Sequence, residues 1–124
     1  MLKLTIAIPN YNGGENLKRC IESCQTIQIP ENDYEILIVD NKSTDNSIDI
    51  VNEMKKKFAN IRLVQNEKNI GRIQNWNVSI EKAQSRYLIF LFSNKRTISA
   101  ERKGATLNFL INVNPLHFKS LMTS

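Results

Sequence analysis

Two polar loops, each directly after a short apolar run, constrain the fold of this chain more than any other feature. The runs cover residues 4–8 and 36–39, and the loops are Pro9-Asn10-Tyr11-Asn12 and Asp40-Asn41-Lys42-Ser43-Thr44-Asp45. The runs lack the apolar–polar alternation of half-exposed strands, which is typical of parallel sheets covered on both faces. Ligands of open α/β sheets bind just beyond the carboxyl ends of the strands, so the two loops predict a ligand site there.

Three segments with apolar residues at helical spacing separate four predicted strands. The three stripes are Leu17, Cys20, Ile21 and Cys24; Ile48, Val51, Met54 and Phe58; and Ile73, Trp76, Ile80 and Ala83. Further apolar runs at residues 61–64 and 87–92 complete a β-α-β-α-β-α-β order, which right-handed crossovers build into one sheet. We therefore predict an α/β fold, a Rossmann-like parallel sheet with helices on both faces.

The positive charge of the chain is concentrated near its C-terminal end. The net charge is +5, yet residues 1–94 carry twelve Lys and Arg against eleven Asp and Glu, while residues 95–124 carry five against one. A nearly neutral body does not suit a surface that follows a phosphate backbone, and the basic segment lacks the interleaved aromatic residues that stack on bases. We predict no nucleic-acid partner.

Cysteine usage and hydropathy favour a cytoplasmic protein. Cys20 and Cys24 lie on one face of a predicted helix, and the single histidine, His117, is far from them in the sequence. A zinc site needs about four ligands, so two reduced, buried thiols are favoured over metal or redox chemistry. The longest apolar stretch, residues 87–92, is too short to span a bilayer, and no secretion signal is visible. Membrane association is therefore not expected.

Longer strings of the sequence resemble a known family. The strings IAIPNYNGGENLKRCIESC, ILIVDNKSTDNS and NEKNIGRIQNWNVSIEKAQSRYLIFLFS are similar to the opening of family 2 inverting glycosyltransferases of the GT-A fold. The resemblance covers about residues 3–94. It implies that residues 1–94 are the nucleotide-sugar-binding half of such a domain, without the acceptor-binding half, and that residues 95–124 are a divergent or frame-shifted tail.

The resemblance also implies a function. The donor would be a nucleoside-diphosphate sugar of the UDP or dTDP type, and the sugar would pass to an acceptor hydroxyl in cell-surface polysaccharide biosynthesis. The alternative is a non-catalytic nucleotide-binding or interaction module. Mg²⁺ or Mn²⁺ is expected in the family, bound by a short acidic motif. At that position the present chain reads Ser93-Asn94-Lys95-Arg96, so we predict no metal ligand, no catalytic residue and no transfer by this chain alone.

Three segments supply the predicted nucleotide-sugar-binding residues. They are Pro9, Asn10, Tyr11, Asn12, Asp40, Asn41, Asn69, Gly71 and Arg72. In the family, the acid at the position of Asp40 contacts the base; a helix cap is the other interpretation of this residue. Gly71 permits a close backbone approach at a helix N-terminus, where free amides and the charge of Arg72 favour a diphosphate.

Several neighbouring residues have structural interpretations. Ser43, Thr44 and Asp45 are predicted to cap the second helix. Tyr11 could lie against the base or plug the rim of the sheet, and Trp76 is favoured as a core residue over a sugar platform. In the tail, a short helix is possible, with Ser99 as its cap and Pro115 ending it. Its apolar positions would be Ala105, Leu107, Phe109 and Leu110.

Overall fold

The structure, a computed structural model, describes residues 2–93 and the backbone of Leu110–Asn112. The elements are β1 (Leu4–Asn10), α1 (Gly14–Cys24), a 3-10 turn (Glu31–Asp33), β2 (Tyr34–Asp40), α2 (Ser47–Lys57), β3 (Ile61–Gln65), α3 (Arg72–Lys82), β4 (Tyr87–Phe90) and β5 (Leu110–Asn112). Strands β1 to β4 are mutually parallel and lie in the order β3-β2-β1-β4. The predicted α/β fold with a parallel sheet is confirmed.

The two strands with continuous apolar runs form the centre of the sheet. Every residue of β1 and β2 is buried, as expected for strands covered on both faces. One face packs against α1 and α2 in a large cluster that includes Ile36, and the other packs against α3 through a smaller cluster that includes Leu88. Each fully buried Leu or Ile side chain contributes roughly 1.5–3 kcal/mol to folding, so this core stabilises the strands that carry the polar loops.

The sheet grows in both directions from β1. The connections through α1 and α2 place β2 and then β3 on one side of β1, and the connection through α3 places β4 on the other side. Helices that leave neighbouring strands toward opposite faces open a crevice at the carboxyl ends of those strands. The topology therefore places a crevice next to the loop that follows β1.

Strand β5 differs from the sequence-based prediction. The sequence predicts a helix through Leu110, and this is wrong, because Leu110–Asn112 forms a strand antiparallel to β4 with Ile111 opposite Leu88. Without it, the backbone groups on the outer side of β4 would be unpaired, and an apolar, β-branched segment suits that position. The other positions of the proposed helix, Ser99, Ala105, Leu107, Phe109 and Pro115, lie outside the described residues.

Helix α3 does not pack its whole predicted apolar stripe against the sheet. Ile73 was expected in the core, but its side chain is 60% exposed, whereas Asn75 and Ser79 are buried. The side-chain amide of Asn75 donates a hydrogen bond to the carbonyl oxygen of Val39 at 3.1 Å. A buried polar group needs such a partner, and this contact fixes the face that α3 presents to the sheet. None of the helices in the described part of the chain is long and apolar enough to cross a membrane.

A buried carboxylate joins three strands near the amino end of the sheet. Glu35 in β2 accepts hydrogen bonds from Arg62 Nε at 2.9 Å, from Thr5 Oγ1 at 2.7 Å and from the Gln84 amide at 3.0 Å. Burial by itself would raise the pKa of Glu35, but the hydrogen bonds from Arg62 and Thr5 outweigh it and hold that pKa below its usual value. The Glu35–Arg62 ion pair therefore stabilises the end of the sheet that is remote from the polar loops.

Candidate functional site

A cleft of about 1050 Å³ opens where the strands β1 and β4 end, beside the N-terminus of α3. The residues predicted for the site that line it are Pro9, Asn10, Tyr11, Asn12, Asn41, Asn69, Gly71 and Arg72. Asp40 is not among its described lining residues. The remaining lining residues were not predicted from the sequence as binding residues: Gly13, Asn16, Asn75, Trp76, Phe92 and Ser93.

The parallel pairing of β1, β2 and β3 makes the loops that follow these strands begin at the same edge of the sheet. Asn10 is the register partner of Asp40, and Asp40 is the partner of Gln65. The sheet bonding continues one step further, because the Asn41 amide donates to the Asn10 carbonyl at 2.8 Å and the Asn66 amide to the Asp40 carbonyl at 2.9 Å. The loops 11–13, 41–46 and 66–71 therefore start side by side at the mouth of the cleft.

The carboxylate of Asp40 faces the protein and not the cleft. Asp40 is 2% exposed. Its Oδ1 accepts hydrogen bonds from Asn10 Nδ2 at 2.9 Å and from Ser43 Oγ at 2.6 Å, and its Oδ2 accepts one from the Ser43 amide at 2.9 Å. Bonds to an ionised acceptor are about twice as strong as neutral ones. In this geometry Asp40 positions the loops, and its direct contact with a base stays a prediction.

Asn12 joins the first loop to the second. Its backbone has a φ of 53°, and its side-chain oxygen accepts hydrogen bonds from the amides of Thr44 at 2.7 Å and Asp45 at 3.2 Å. In return, Ser43 Oγ accepts a hydrogen bond from the Asn12 amide at 2.9 Å. Asn tolerates the left-handed region better than most residues, which explains its presence here. Asn12 therefore fixes the spacing of the two loops.

These contacts correct the predicted helix caps. Ser43 and Thr44 were expected to cap α2, but their side chains bond to Asp40 and Asn12 instead. Asp45 keeps the expected role, since its Oδ1 accepts a hydrogen bond from the Ser47 amide at 2.9 Å at the start of α2. Ser43 and Thr44 therefore hold the loops at the cleft together, and Asp45 supports the start of α2.

Asn41 joins the second loop to the third. It is 3% exposed, and its Oδ1 accepts hydrogen bonds from Asn66 Nδ2 at 3.1 Å and the Ile70 amide at 2.9 Å. Its Nδ2 donates to Asn69 Oδ1 at 2.9 Å and to the Gly71 carbonyl at 3.4 Å. Two donors and two acceptor positions are the full capacity of an asparagine amide. Asn41 is therefore a saturated bridge whose orientation is fixed.

The N-terminus of α3 contributes positive electrostatic potential. Gly71 precedes the helix with φ 87° and ψ 160°, a conformation that is essentially restricted to glycine. Among the residues that the structure describes, no side chain caps the start of α3. Arg72 lines the cleft, is exposed and makes no ion pair with any residue that the structure describes. Uncapped amides, the helix dipole and a guanidinium together favour an anion.

Aromatic side chains form one wall of the cleft. The Trp76 ring centroid lies 5.0 Å from that of Phe92 and 6.1 Å from that of Phe90, and the two phenylalanine rings stack with centroids 5.8 Å apart. Trp76 thus packs against the sheet, as favoured from the sequence, and also lines the cleft. Tyr11 is 51% exposed, so its ring is open to a ligand.

Gly13 and Ser93 belong to the cleft through a close contact. Ser93 Oγ donates a hydrogen bond to Asn10 Oδ1 at 2.9 Å, which ties the end of β4 to the end of β1. A Cβ atom on Gly13 would clash with Asn10 Oδ1 and would lie 2.8 Å from Ser93 Oγ. Only glycine leaves room for this contact. Two sequence signals point to Ser93: it lies just past a strand, and it begins the segment that stands where the family has its acidic motif.

The described lining does not fit a divalent metal ion. It contains no Asp, Glu, His or Cys, and the described residues contain no group of three such side chains that could hold an ion. Hard cations such as Mg²⁺ take oxygen ligands, with carboxylates foremost. Asn94 and Lys95, which stand where the family has its acidic motif, lie outside the described residues.

An open parallel sheet with a cleft at its topological switch point defines a Rossmann-like class of ligand-binding α/β proteins. Within that class, the chain belongs to glycosyl transferase family 2, whose family model matches residues 5–91. The resemblance drawn from the loops and strands is thereby confirmed, together with the GT-A type of fold.

Individual relatives agree with this assignment. The poly(ribitol-phosphate) beta-glucosyltransferase of Bacillus spizizenii strain W23 is 37% identical over 94 residues, which cover 75% of this chain and 15% of that protein. The structure of S. aureus TarS 1–349 in complex with UDP-GlcNAc matches with a TM-score of 0.68 and 26% identity, over 82% of this chain and 30% of that one.

A more distant structure shares the fold. The mannosyltransferase PcManGT from Pyrobaculum calidifontis, in complex with GDP-Man and Mn²⁺, matches with a TM-score of 0.69 at 18% identity, over 82% of this chain and 31% of that one. The chain thus spans less than a third of the length of each of these three proteins.

Proposed function

We propose that the cleft binds the nucleoside diphosphate of a sugar donor of the UDP or dTDP type. The proposed role of the chain is the donor-binding part of a family 2 glycosyltransferase in cell-surface polysaccharide biosynthesis. The composition of the cleft supports this most strongly. One crevice is lined by the exposed ring of Tyr11, by loops that hydrogen bonds hold in place, and by Arg72 at the N-terminus of α3. The names of the relatives support the process, and the TarS complex with UDP-GlcNAc supports the type of donor.

The lining residues suggest a pose for the donor. The ring of Tyr11 would lie against the base, and Arg72 with the first amides of α3 would bind the diphosphate. Trp76 and Phe92 would form the wall beside the sugar. Asp40 and Asn41 would position the loops without touching the ligand, because their hydrogen-bonding groups already have protein partners.

The proposed binding unit is residues 1–94, with β5 covering the outer side of β4. We also propose a cytoplasmic location, which suits the two buried thiols of Cys20 and Cys24.

A second candidate function is nucleotide binding without sugar transfer. Transfer needs a carboxylate to take the proton of the acceptor hydroxyl, and no carboxylate is among the described lining residues. Incubation of the chain with UDP-GlcNAc or UDP-glucose and chromatographic detection of free UDP separates the two candidates. We expect no UDP release above the rate without protein, and release that scales with protein concentration would favour transfer.

Calorimetric titration with UDP, dTDP and GDP tests the proposed donor site. We expect saturable binding of UDP or dTDP and weaker binding of GDP. Arg72→Gln should weaken UDP binding about ten- to a hundredfold, since a charge-assisted hydrogen bond is worth roughly 1.5–3 kcal/mol. Lys68→Gln is the matched control, because Lys68 is exposed and lies outside the cleft lining. Equal losses in the two variants, or no saturable binding by the unaltered chain, would contradict the proposal.

A further inference from the structure

We infer that this cleft binds its nucleoside diphosphate without a divalent cation. The inference rests on the proposed function and concerns how the diphosphate charge is neutralised. PcManGT, which shares the fold, has a structure with GDP-Man and Mn²⁺ together, so cation-independent binding would set the present chain apart. Three features of the cleft lead to it: the charge of its lining, the state of its oxygen atoms and the positions of the nearest acids.

The charge of the lining disfavours a cation. Arg72 is the one charged residue among the described lining residues, and it is positive. A divalent ion placed near it would be repelled, and no carboxylate in the described lining would compensate. The diphosphate, in contrast, is attracted by Arg72 and by the uncapped first turn of α3. The described cleft therefore favours binding of the metal-free diphosphate over binding of the diphosphate together with a divalent ion.

The side-chain amide oxygens of five of the six asparagines in the described lining accept hydrogen bonds within the protein. Asn12 Oδ1 and Asn41 Oδ1 each accept hydrogen bonds from two backbone or side-chain donors, and Asn69 Oδ1 accepts them from Asn41 Nδ2 and the Gly71 amide. Two further lining amides, those of Asn10 and Asn75, each accept one. An ion that used the oxygens of Asn12, Asn41 or Asn69 would displace the donors that join the loops and leave them without a partner.

The two acids of the loop after β2 are not available either, and the exposed Glu15 and Glu67, close in sequence to Asn16 and Asn69, lie outside the described lining. Asp40 accepts three hydrogen bonds and is 2% exposed, so coordination of an ion would release Ser43 and Asn10. Asp45 bonds the first amide of α2. Beyond Ser93 the sequence contains a single acid, Glu101. One carboxylate does not make the multidentate oxygen site that a hard cation takes.

Calorimetry with a series of ligands tests this inference on the full chain. Uridine, UMP and UDP are each titrated in EDTA and then in excess MnCl₂. In EDTA we expect the affinity to rise from uridine to UDP. The UDP affinity in MnCl₂ should agree with the UDP affinity in EDTA within about twofold. Arg72→Gln should remove most of the gain from the phosphates and leave uridine binding within about twofold, whereas Lys68→Gln should change neither.

The outcomes separate the inference from the proposed function. UDP binding that appears only with Mn²⁺, or that strengthens tenfold or more with it, would overturn cation independence while the donor site remains. Absence of UDP binding in both buffers would overturn both. An affinity that is the same for uridine and UDP would show that the cleft does not bind the phosphates, and would overturn both the inference and the diphosphate-binding role proposed for Arg72.

Discussion

Replacing Asp40 by Asn tests the positioning role that the structure gives to this carboxylate. The substitution keeps the shape of the side chain and turns one oxygen into an NH₂ group. With the remaining oxygen at the Oδ1 position, the new NH₂ group faces the Ser43 amide, which now bonds Oδ2 at 2.9 Å. One hydrogen bond to a charged acceptor is lost, and the two bonds at Oδ1 lose their charge assistance.

The expected cost follows from these three bonds. A hydrogen bond to a charged group is worth about 1.5–3 kcal/mol, and the weakening of the other two adds to it, so Asp40→Asn should destabilise the fold by about 2–4 kcal/mol. Because Asp40 is 2% exposed, water cannot replace the lost partner. For a chain of 124 residues, 1 kcal/mol corresponds to roughly 3–6 °C, so Tm should fall by at least about 6 °C.

Thermal unfolding followed by circular dichroism measures this effect, and Asp49→Asn is the control. Asp49 lies exposed in the first turn of α2, where its charge contributes less than about 1 kcal/mol. UDP affinity is measured in parallel well below Tm. If Asp40→Asn matched the control in Tm but still lost UDP affinity, Asp40 would be a direct ligand, as the family resemblance implied, and the positioning role would be refuted.

Two further predictions concern packing and pH. Gly13→Ala should cost at least about 1–3 kcal/mol in urea unfolding, because its Cβ would overpack the Asn10–Ser93 contact; a cost below about 0.5 kcal/mol would contradict that contact. The lowered pKa of Glu35 means that its stabilisation is complete above its usual value of 4.5 and is lost as pH falls below it. Unfolding free energy should therefore drop more steeply below about pH 4.5 in the unaltered chain than in Glu35→Gln, and parallel curves would refute this role.

The place of the site could be predicted from the sequence because it depends on topology. Continuous apolar runs predict buried parallel strands, and the carboxyl ends of such strands meet at one edge whatever the details of the loops. Tyr11, Asn12, Asn41 and Arg72 therefore line one cleft, as proposed from their positions after strands and before a helix. Family membership followed from the same segments.

The direction in which side chains point could not be predicted. Asp40 follows its strand as expected, yet its carboxylate turns inward because Asn10, thirty residues earlier, and Ser43 offer donors there. The polar anchor of Asn75 on Val39 likewise leaves Ile73 exposed, against the apolar stripe. Such outcomes depend on long-range partners that periodicity does not encode.

Strand β5 was missed for a related reason. Its three residues carry no periodic signal, and their structure depends on pairing with β4, more than twenty residues earlier in the chain. A tendency toward helix in the surrounding sequence is a weak preference that such tertiary pairing overrides.

The most direct test of the donor site is a UDP titration of the ¹⁵N-labelled chain followed by amide chemical shifts. We expect saturable shifts for amides around the cleft, including Tyr11, Asn12, Gly71 and Arg72. The opposite end of the sheet, represented by Glu35 and Ala59, should stay unchanged. No saturable shifts, or saturable shifts confined to the opposite end, would contradict the account that this cleft binds a nucleoside diphosphate.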